Sequence, residues 1–409
     1  MAVTVEEALE IIYKQSKTKS IKILPLEKSL GHILAQNIVA THNLPPFDNS
    51  AMDGYAVKVC DATKTVSVEH TVFAGDKSNV ILKVGHAIKI MTGAKIPEGC
   101  ECVVPKEDTE ATIKSPNSVI LPAKLTQARH IRRMGEDINI GDTLLLCGDK
   151  LGAHQITLLA SQGISHIKVY KKPRIALFAS GSELKMHSQT LESHQVYNTN
   201  TPTFTARALE LGCEVDFIGT AVDSLSSLKE HVRSALDSDL IITSGGVSVG
   251  DADFVKEAFA SFGCNVFFDK VAIKPGKPTT LGKIANTLVL NLPGNPLAAA
   301  LNFELFGQSI ILALSGSRSK YINTIQAKIK KEYRLKKGRR NLVPGFFDGE
   351  YFNVCEKFAP GMVSPLGASN AYIMIHEDCE ILQKESYVKI IATQFCFTSK
   401  KQVNLVTGV

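Results

Sequence analysis

The segment that decides the fold is LIITSGGVSVGDAD, residues 240–253, in which a buried apolar strand runs into a loop of glycines and hydroxyl residues. Three glycines have no Cβ to keep backbone amides away from an anionic ligand: Gly245, Gly246 and Gly250. Hydroxyl groups add further donors: Thr243, Ser244 and Ser248. Two acids close the loop and can position a cation beside the anion: Asp251 and Asp253. Taken alone, the loop is also compatible with an ordinary strand-to-helix turn.

Strands and helices alternate on both sides of this segment. Buried-strand runs are predicted at 174–179, 213–219, 240–243 and 288–292. Helices are predicted at 201–212, 224–236, 254–262 and 297–314. Such alternation predicts a three-layer α/β domain with a parallel sheet.

The flanking regions have a different pattern. Thr4 to Gln15 is predicted as a short helix, because Thr4 suits the N-cap and Glu7 lies at the capping-box position. From Ile21 to Lys172, short β-rich runs alternate with turns around one helix at about 152–162, which predicts one or two small β domains. Short strands return beyond Ser319 and predict a C-terminal β domain or small barrel.

The composition is that of a globular protein with several domains. The chain has 409 residues, more than one core usually supports, and a net charge of +6. Its densest basic patch, 328–340, holds one aromatic residue and no nucleic-acid motif, so we expect no nucleic-acid partner. No uninterrupted apolar run reaches the roughly 18 residues of a membrane span, and the acidic N-terminus does not resemble a signal peptide. We expect a cytoplasmic protein whose nine scattered cysteines are reduced thiols.

Unusual residues follow each predicted strand of the α/β region. They are SGSE (180–183), Asp223-Ser224, the loop 243–253 and PGNP (293–296). Ligands of open α/β sheets bind beyond the carboxyl ends of the strands, so these loops predict one binding site. The turn 270–278 adds three lysines in the same domain. Carboxylates alone suggest a divalent metal and lysines alone a phosphate; together they predict a metal-bridged phosphate.

Six motifs, taken in order, resemble those of one enzyme family. They are FDNSAMDGYA (47–56), MTGA (91–94), IRR with GED (131–133 and 135–137), TSGGVSVG (243–250), IKPGKP (273–278) and LPGNP (292–296). This series resembles the molybdopterin molybdenumtransferases, the MoeA family that includes the E domain of gephyrin. The resemblance spans nearly the whole chain.

The resemblance implies a multidomain protein of the α/β plus β class that forms elongated homodimers. Its implied parts are an N-terminal helix on the α/β domain (1–20), a linking domain (21–39 and 139–171), an inserted β domain (40–138), the α/β molybdopterin-binding domain (172–318) and a C-terminal barrel-like β domain (319–409). The implied active site lies between the α/β domain of one subunit and the inserted domain of the other.

The family's reaction, as the resemblance implies it, inserts molybdate into adenylylated molybdopterin and releases AMP with the help of Mg²⁺. The implied protein partners are the adenylyltransferase and chaperones of molybdenum enzymes. No membrane partner is implied.

The resemblance also assigns roles to individual residues. The implied catalytic residues are Asp53, Thr92, Asp137, Glu183, Asp223, Asp253, Lys270 and Lys274. The implied substrate-binding residues are Arg132, Ser244, Gly245, Gly246, Ser248, Gly250, Pro293, Pro296, Arg339 and Ser364. The implied metal ligands are Glu183, Asp223 and Asp253.

Two other functions compete with this assignment. A related family that adenylylates molybdopterin shares the α/β domain, but it is a single compact domain without the Asp53 motif. A scaffold related to gephyrin would not need the carboxylates of the site, and here the main ones are present. We therefore favour the molybdenum-inserting enzyme.

Overall fold

The computed structural model of the chain describes residues 2–18, 20–77, 79–111, 117–245 and 254–393. Within these ranges the helices are α1 (Val5–Gln15), α2 (Ala153–Ser161), α3 (Asn200–Glu210), α4 (Leu225–Ala235), α5 (Phe254–Ser261), α6 (Pro296–Asn302), α7 (Gln308–Leu314) and α8 (Ser364–Ala368). The helix predicted at the N-terminus is confirmed: the Thr4 hydroxyl accepts from the Glu7 amide, and the Glu7 carboxylate accepts from the Thr4 amide.

The N-terminal region is built from short strands. They are β1 (Ile21–Pro25), β2 (Ile38–Val39), β3 (Asn49–Ser50), β4 (Gly54–Val57), β5 (Thr65–Val72), β6 (His86–Ile90), β7 (Cys102–Pro105), β8 (Glu110–Ala111), β9 (Ser118–Ile120), β10 (Ile131–Arg132), β11 (Thr143–Leu145) and β12 (His166–Tyr170). A six-stranded sheet has the order β7-β4-β6-β5-β9-β8. Strands β1 and β2, which precede that sheet in the chain, instead pair with β12 and β11, which follow it. The sheet is therefore inserted into a small unit that is made of two chain segments.

The α/β region holds β13 (Arg174–Ser180), β14 (Leu184–Lys185), β15 (Val196–Tyr197), β16 (Glu214–Ala221), β17 (Leu240–Ser244), β18 (Asn265–Phe268), β19 (Ile273–Lys274), β20 (Thr280–Ile284) and β21 (Thr287–Leu292). Its main sheet has the order β16-β13-β17-β21-β20-β18. Alternate residues of β13 enter two different cores, because successive side chains of a strand point to opposite faces. Ile175 and Leu177 pack with α1, α3 and α6, whereas Ala176 and Phe178 pack with α4 and α5. The predicted three-layer α/β domain is confirmed.

The prediction of a parallel sheet is wrong for one of its strands. Strands β16, β13, β17 and β21 are parallel, but β20 runs antiparallel to them. Strand β18 pairs antiparallel with β20 and so runs in the same direction as the other four. A tight turn at Ala285, with φ of +49°, returns the chain from β20 directly into β21. This hairpin was not predicted, because TLGKI (280–284) contains a glycine and a lysine and does not read as a buried strand.

The predicted helix 297–314 is confirmed as a continuous helical segment with a π-helical turn at Phe303–Gly307 between α6 and α7. Its length and apolar composition would suit a membrane span, yet 89% of its 18-residue apolar stretch is buried inside the protein. It packs against the α/β sheet together with α1 and α3. We therefore interpret it as a core helix.

The C-terminal strands close into a small barrel. They are β22 (Ile325–Ile329), β23 (Tyr333–Arg334), β24 (Arg340–Phe347), β25 (Tyr351–Val354), β26 (Ala371–Ile375), β27 (Ile381–Leu382) and β28 (Tyr387–Ala392). Five of them form the ring β24-β25-β22-β28-β26, which closes where β26 pairs back with β24. Strand β19 of the α/β region adds in parallel to β24 and joins the two parts. The predicted C-terminal barrel is confirmed.

Candidate active site

The carboxyl ends of the four parallel strands meet at one edge of the α/β sheet. In register, Ser180 lies beside Ala221, Ala179 beside Ser244, and Ser244 beside Leu292. The loops that follow these residues therefore start side by side. We call this edge, with the loops that leave it, the strand-edge site.

Gly245 makes the closest backbone approach at the strand-edge site. A Cβ added to it would lie 2.3 Å from the carbonyl oxygen of Ser180, and its φ is +95°. Its amide donates to the carbonyl of Leu292 at 3.3 Å, so the amide faces the neighbouring strand. Gly245 thus holds two strand-end loops together. Gly246, Ser248, Gly250 and Asp253 lie outside the described residues.

The hydroxyl residues before this loop are engaged within the protein. Thr243 Oγ1 donates to Asn291 Oδ1 at 2.9 Å in the core. The hydroxyl of Ser244 accepts from Asn200 Nδ2 at 3.1 Å, and the same Nδ2 donates to the carbonyl of Gly294 at 2.8 Å. Asn200 is 8% exposed and begins α3. It ties the end of β17 to the loop after β21.

Sequence reasoning missed Asn200. Its partners lie 44 and 94 residues further along the chain. The only available signal is its place in NTNTP (198–202), just before the proline that starts the predicted helix. That signal indicates a helix start but no contact between two loops.

Two predicted metal ligands, Glu183 and Asp223, flank one glycine of the strand-edge site. Asp223 Oδ1 accepts from Ser180 Oγ at 2.8 Å, and Oδ2 accepts from the Ser182 amide at 3.2 Å. Both carboxylate oxygens of Glu183 would lie 2.8 Å from a Cβ on Gly181, whose φ is +156°. The structure therefore brings these two carboxylates to the same loop. Among the described residues, no group of three potential metal-binding side chains is present.

The lysine-rich turn also reaches this edge. The antiparallel strand β20 starts at Thr280, which lies opposite Asn291, one residue before the end of β21. The turn that precedes β20 carries Lys270, Lys274 and Lys277. Within the described ranges, none of these three ammonium groups has an ion-pair partner. Three uncompensated cations at a sheet edge favour binding of an anion.

One side chain of the core helix holds this turn in place. Asn302 Nδ2 donates to the carbonyl of Pro275 at 3.1 Å. A Cβ on Gly276 would lie 1.8 Å from the same nitrogen. Only glycine fits at position 276, so the turn and α6 are locked together.

The turn with Pro293 and Pro296 is closed by the C-terminal region. Pro296 starts α6, and the free amides of Leu297 and Ala298 donate to the carbonyl of Pro360 at 3.0 and 3.3 Å. The loop after Pro360 leads into α8, which packs on α6 and begins at the exposed Ser364. Ser364 is therefore brought towards the strand-edge site.

Arg339 directly precedes the barrel strand β24, which pairs with β19 in the lysine turn. Lys274 of β19 lies beside Asn341 of β24, two residues after Arg339. The Arg339 side chain is exposed, and its carbonyl accepts from Asn341 Nδ2 at 2.8 Å.

The remaining predicted site residues form a second group, the Asp53 cluster: Asp53, Thr92, Arg132 and Asp137. Asp53 Oδ1 accepts from both the amide and the hydroxyl of Thr92 at 2.7 Å. These two hydrogen bonds lower the pKa of Asp53 below its ordinary value, so the carboxylate is charged at neutral pH. The cluster is exposed to solvent.

Arg132 and Asp137 belong to the segment 131–137, which lies alongside residues 44–50. Arg132 pairs with Asn49, and the Asp137 amide donates to the carbonyl of Leu44 at 2.9 Å. The neighbouring Arg133 is held by Asp48, whereas Arg132 has no ion-pair partner in the described part of the chain. Among the described residues of this single chain, no hydrogen bond or ion pair joins the Asp53 cluster to the strand-edge site.

The space around Gly245 predicts a large effect of a methyl group. We expect Gly245→Ala to lower the free energy of unfolding by about 3 kcal/mol, because positive φ and contact with Ser180 both disfavour a Cβ. Gly75 is a matched control, since its φ is +91° and a Cβ there meets nothing within 4 Å. Gly75→Ala should cost only about 1 kcal/mol. Urea unfolding curves compare the two; equal losses would contradict the close approach.

Three protein-family models match the chain in order. "MoeA N-terminal region (domain I and II)" matches residues 3–163, "Probable molybdopterin binding domain" matches 176–313, and "MoeA C-terminal region (domain IV)" matches 326–392. The molybdopterin molybdenumtransferase of Haemophilus influenzae is 37% identical over 316 residues, which cover 74% of this chain and 78% of that protein. The chain belongs to the MoeA family.

Other MoeA proteins match over greater lengths. The molybdopterin molybdenumtransferase of Staphylococcus epidermidis is 32% identical over 415 residues, which cover 96% of both chains. A crystal structure described as a molybdopterin biosynthesis MoeA protein from Pyrococcus horikoshii has a TM-score of 0.83 at 29% identity and covers 97% of this chain and all of that one. The fold and the family assignment therefore agree along nearly the whole length of the chain.

Proposed function

We propose that this chain inserts molybdate into adenylylated molybdopterin and releases AMP. A role as a transferase in molybdenum cofactor biosynthesis follows from its membership of the MoeA family. The observation that carries the specific proposal is the convergence of Asp223, Glu183 and the lysine turn at the strand-edge site. Cations and oriented carboxylates at one edge suit a substrate with a phosphoanhydride.

The lysines are the proposed phosphate-binding groups. Lys270, Lys274 and Lys277 lie at the edge without ion-pair partners in the described part of the chain, so substrate phosphates can neutralise them. Gly245 and Asn200 act through position, since they hold the neighbouring loops together. Water then attacks the phosphoanhydride: a new P–O bond forms as the bridging P–O bond breaks, and AMP leaves the pterin phosphate.

Glu183 and Asp223 are the proposed holders of Mg²⁺, with Asp253 as a third ligand outside the described residues. Mg²⁺ is usually bound through one or two carboxylates together with substrate phosphates and water. The two carboxylates beside Gly181 fit this requirement, because each offers hard oxygen donors and Asp223 is oriented by two hydrogen bonds. When bound, Mg²⁺ supplies charge neutralisation at the phosphates.

A homodimer is proposed because the Asp53 cluster makes no polar contact with the strand-edge site of its own chain within the described ranges. A second copy can place Arg132 and Asp53 opposite the lysines, where Arg132 attracts molybdate. Apolar side chains are exposed on the segments around the inserted sheet, as a subunit interface would require: Ile21, Ile23, Leu30, Val39 and Ile140.

Cytoplasmic location is proposed from the cysteines. The eight described cysteines are free thiols, as expected in a reducing compartment. The adenylyltransferase is proposed as the supplier of the substrate and a molybdenum-enzyme chaperone as the recipient of the product.

Paired assays with purified chain test the proposed reaction. Adenylylated molybdopterin with molybdate and Mg²⁺ should yield active cofactor and stoichiometric AMP. Molybdopterin with ATP should yield no adenylylated product. The reverse pattern would assign the chain to adenylylation, and activity in neither assay would overturn the proposal.

A further inference from the structure

A concave surface lies at the opposite edge of the α/β sheet from the strand-edge site. It encloses about 200 Å³ between the residues that lead into β13 and the C-terminal ends of α3 and α7. Because β13 has 7 residues, its two ends lie roughly 20 Å apart. This basic cleft is defined by His32, Asp149, Lys150, Lys171, Lys172 and Arg318.

The basic cleft has a surplus of positive charge. Arg318 is paired with Asp149, with Nη1 and Oδ1 3.3 Å apart. Lys150, Lys171 and Lys172 also line the cleft, and no ion pair involves them among the described residues. Three cations around one small cavity repel one another, so an anion bound between them is favoured.

His32 forms part of the wall of the basic cleft. It lines the cleft and is only 8% exposed, and both ring nitrogens are buried without a hydrogen-bond partner in the described ranges. Burial and the charges of Lys22 and Lys172 lower the pKa of His32, so the ring is neutral with one donor and one acceptor. Neither nitrogen reaches the accessible surface, so His32 forms an uncharged part of the wall and leaves the contacts with a bound ion to the lysines.

The walls of the cleft come from two parts of the fold. The Arg318 amide donates to the carbonyl of Gly148 at 2.9 Å, which fixes the end of the core helix against the segment before α2. Lys171 and Lys172 lie on the short connection between β12 and β13. The lysines are thus held on a rigid junction, which reduces the entropic cost of binding.

We propose that the basic cleft binds a tetrahedral oxyanion of the phosphate type, either free or as the phosphate group of a small metabolite. The ammonium groups of Lys150, Lys171 and Lys172 bind its oxygens. The enclosed volume suits an oxyanion with a few waters or a short extension. The competing explanation is that these lysines only offset the carbonyl ends of α3 and α7.

Equilibrium dialysis of the full chain with labelled inorganic phosphate, molybdate and AMP tests the proposal. We expect binding to this cleft to weaken at least about tenfold in the double variant Lys150→Gln/Lys172→Gln, since two charge-assisted contacts are lost. Lys384→Gln, which removes one exposed charge elsewhere, should bind as the unaltered chain does. The three anions distinguish a free ion from a phosphorylated metabolite.

A further variant separates this cleft from the strand-edge site. Lys274→Ala should keep the binding that the double variant loses. The single variants Lys150→Gln and Lys172→Gln should each show an intermediate loss, which keeps the test valid if the double variant folds poorly. No binding of any of the three anions, unchanged binding in the double variant, or loss of the binding in Lys274→Ala would overturn the proposal.

Discussion

Asp223→Ala should reduce molybdenum insertion by about 100- to 1,000-fold, the usual effect of removing an electrostatic group from a catalytic site. Asp223 is exposed, and its two hydrogen bonds join it to Ser180 and Ser182. Losing them should cost only about 1 kcal/mol of folding free energy. The measurement is the rate of AMP release from adenylylated molybdopterin with molybdate and Mg²⁺.

Two further variants show which property of Asp223 matters. Asp223→Asn keeps an oxygen that accepts from Ser180 but removes the charge, so an equally large loss would identify the charge. Asp216→Ala is a control on β16, the strand that precedes Asp223, because Asp216 makes only a surface ion pair with Arg174. Normal activity of Asp223→Ala would contradict the proposed site.

Mixing two inactive variants tests whether the active site is shared between subunits. In our proposal Asp53 acts in the partner's site, so Asp53→Ala and Asp223→Ala chains should each be inactive alone. Co-expressed in equal amounts, they should regain about a quarter of the normal activity, because half the dimers are mixed and each has one intact site. No recovery would contradict a site shared between subunits.

Arg207→Met should lower the free energy of unfolding by about 3–5 kcal/mol near pH 8, because it leaves a buried carboxylate without its partner. Arg207 of α3 binds Glu304 of the π-helical turn through Nε and Nη2, at 2.6 and 2.8 Å from the two carboxylate oxygens. Glu304 is 7% exposed. Urea unfolding at pH 8 measures the loss.

The loss should shrink as the pH falls. Burial raises the pKa of Glu304 above its ordinary value of 4.5, and Arg207 partly offsets this. In the variant the offset is gone, so the folded chain holds a proton that the unfolded chain releases above pH 4.5. The free energy of unfolding of the variant therefore falls as the pH rises above 4.5 towards the raised pKa of Glu304, and it recovers as the pH is lowered towards 5. Glu210→Gln, which removes the exposed partner of Arg207, should cost less than about 1 kcal/mol at either pH. A loss independent of pH in Arg207→Met would contradict this account.

The sequence predicted what depends on neighbouring residues. Thr4 and Glu7 are three positions apart, so the capping box that starts α1 could be predicted and was confirmed. The alternation of strands and helices likewise predicted that the loops after Ser180 and Ser244 begin side by side.

The contacts that shape the site depend on distant residues and could not be predicted. Asn200 and Gly294 meet only when the sheet has formed, and the Pro360 carbonyl reaches α6 from the C-terminal region. The antiparallel hairpin of β20 and β21 was missed because its strands lack the pattern of buried parallel strands. The placement of the lysine turn depends on that hairpin.

The Pro360 carbonyl also has a consequence for modularity. Helix α6 begins with an Asn295 side chain that makes no capping hydrogen bond, and its first free amides are satisfied from the C-terminal region. A fragment that ends before the barrel would leave these amides without that partner and the PGNP turn without its cover. In this chain the α/β domain is therefore not self-contained, because a carbonyl from the C-terminal region completes the first turn of α6.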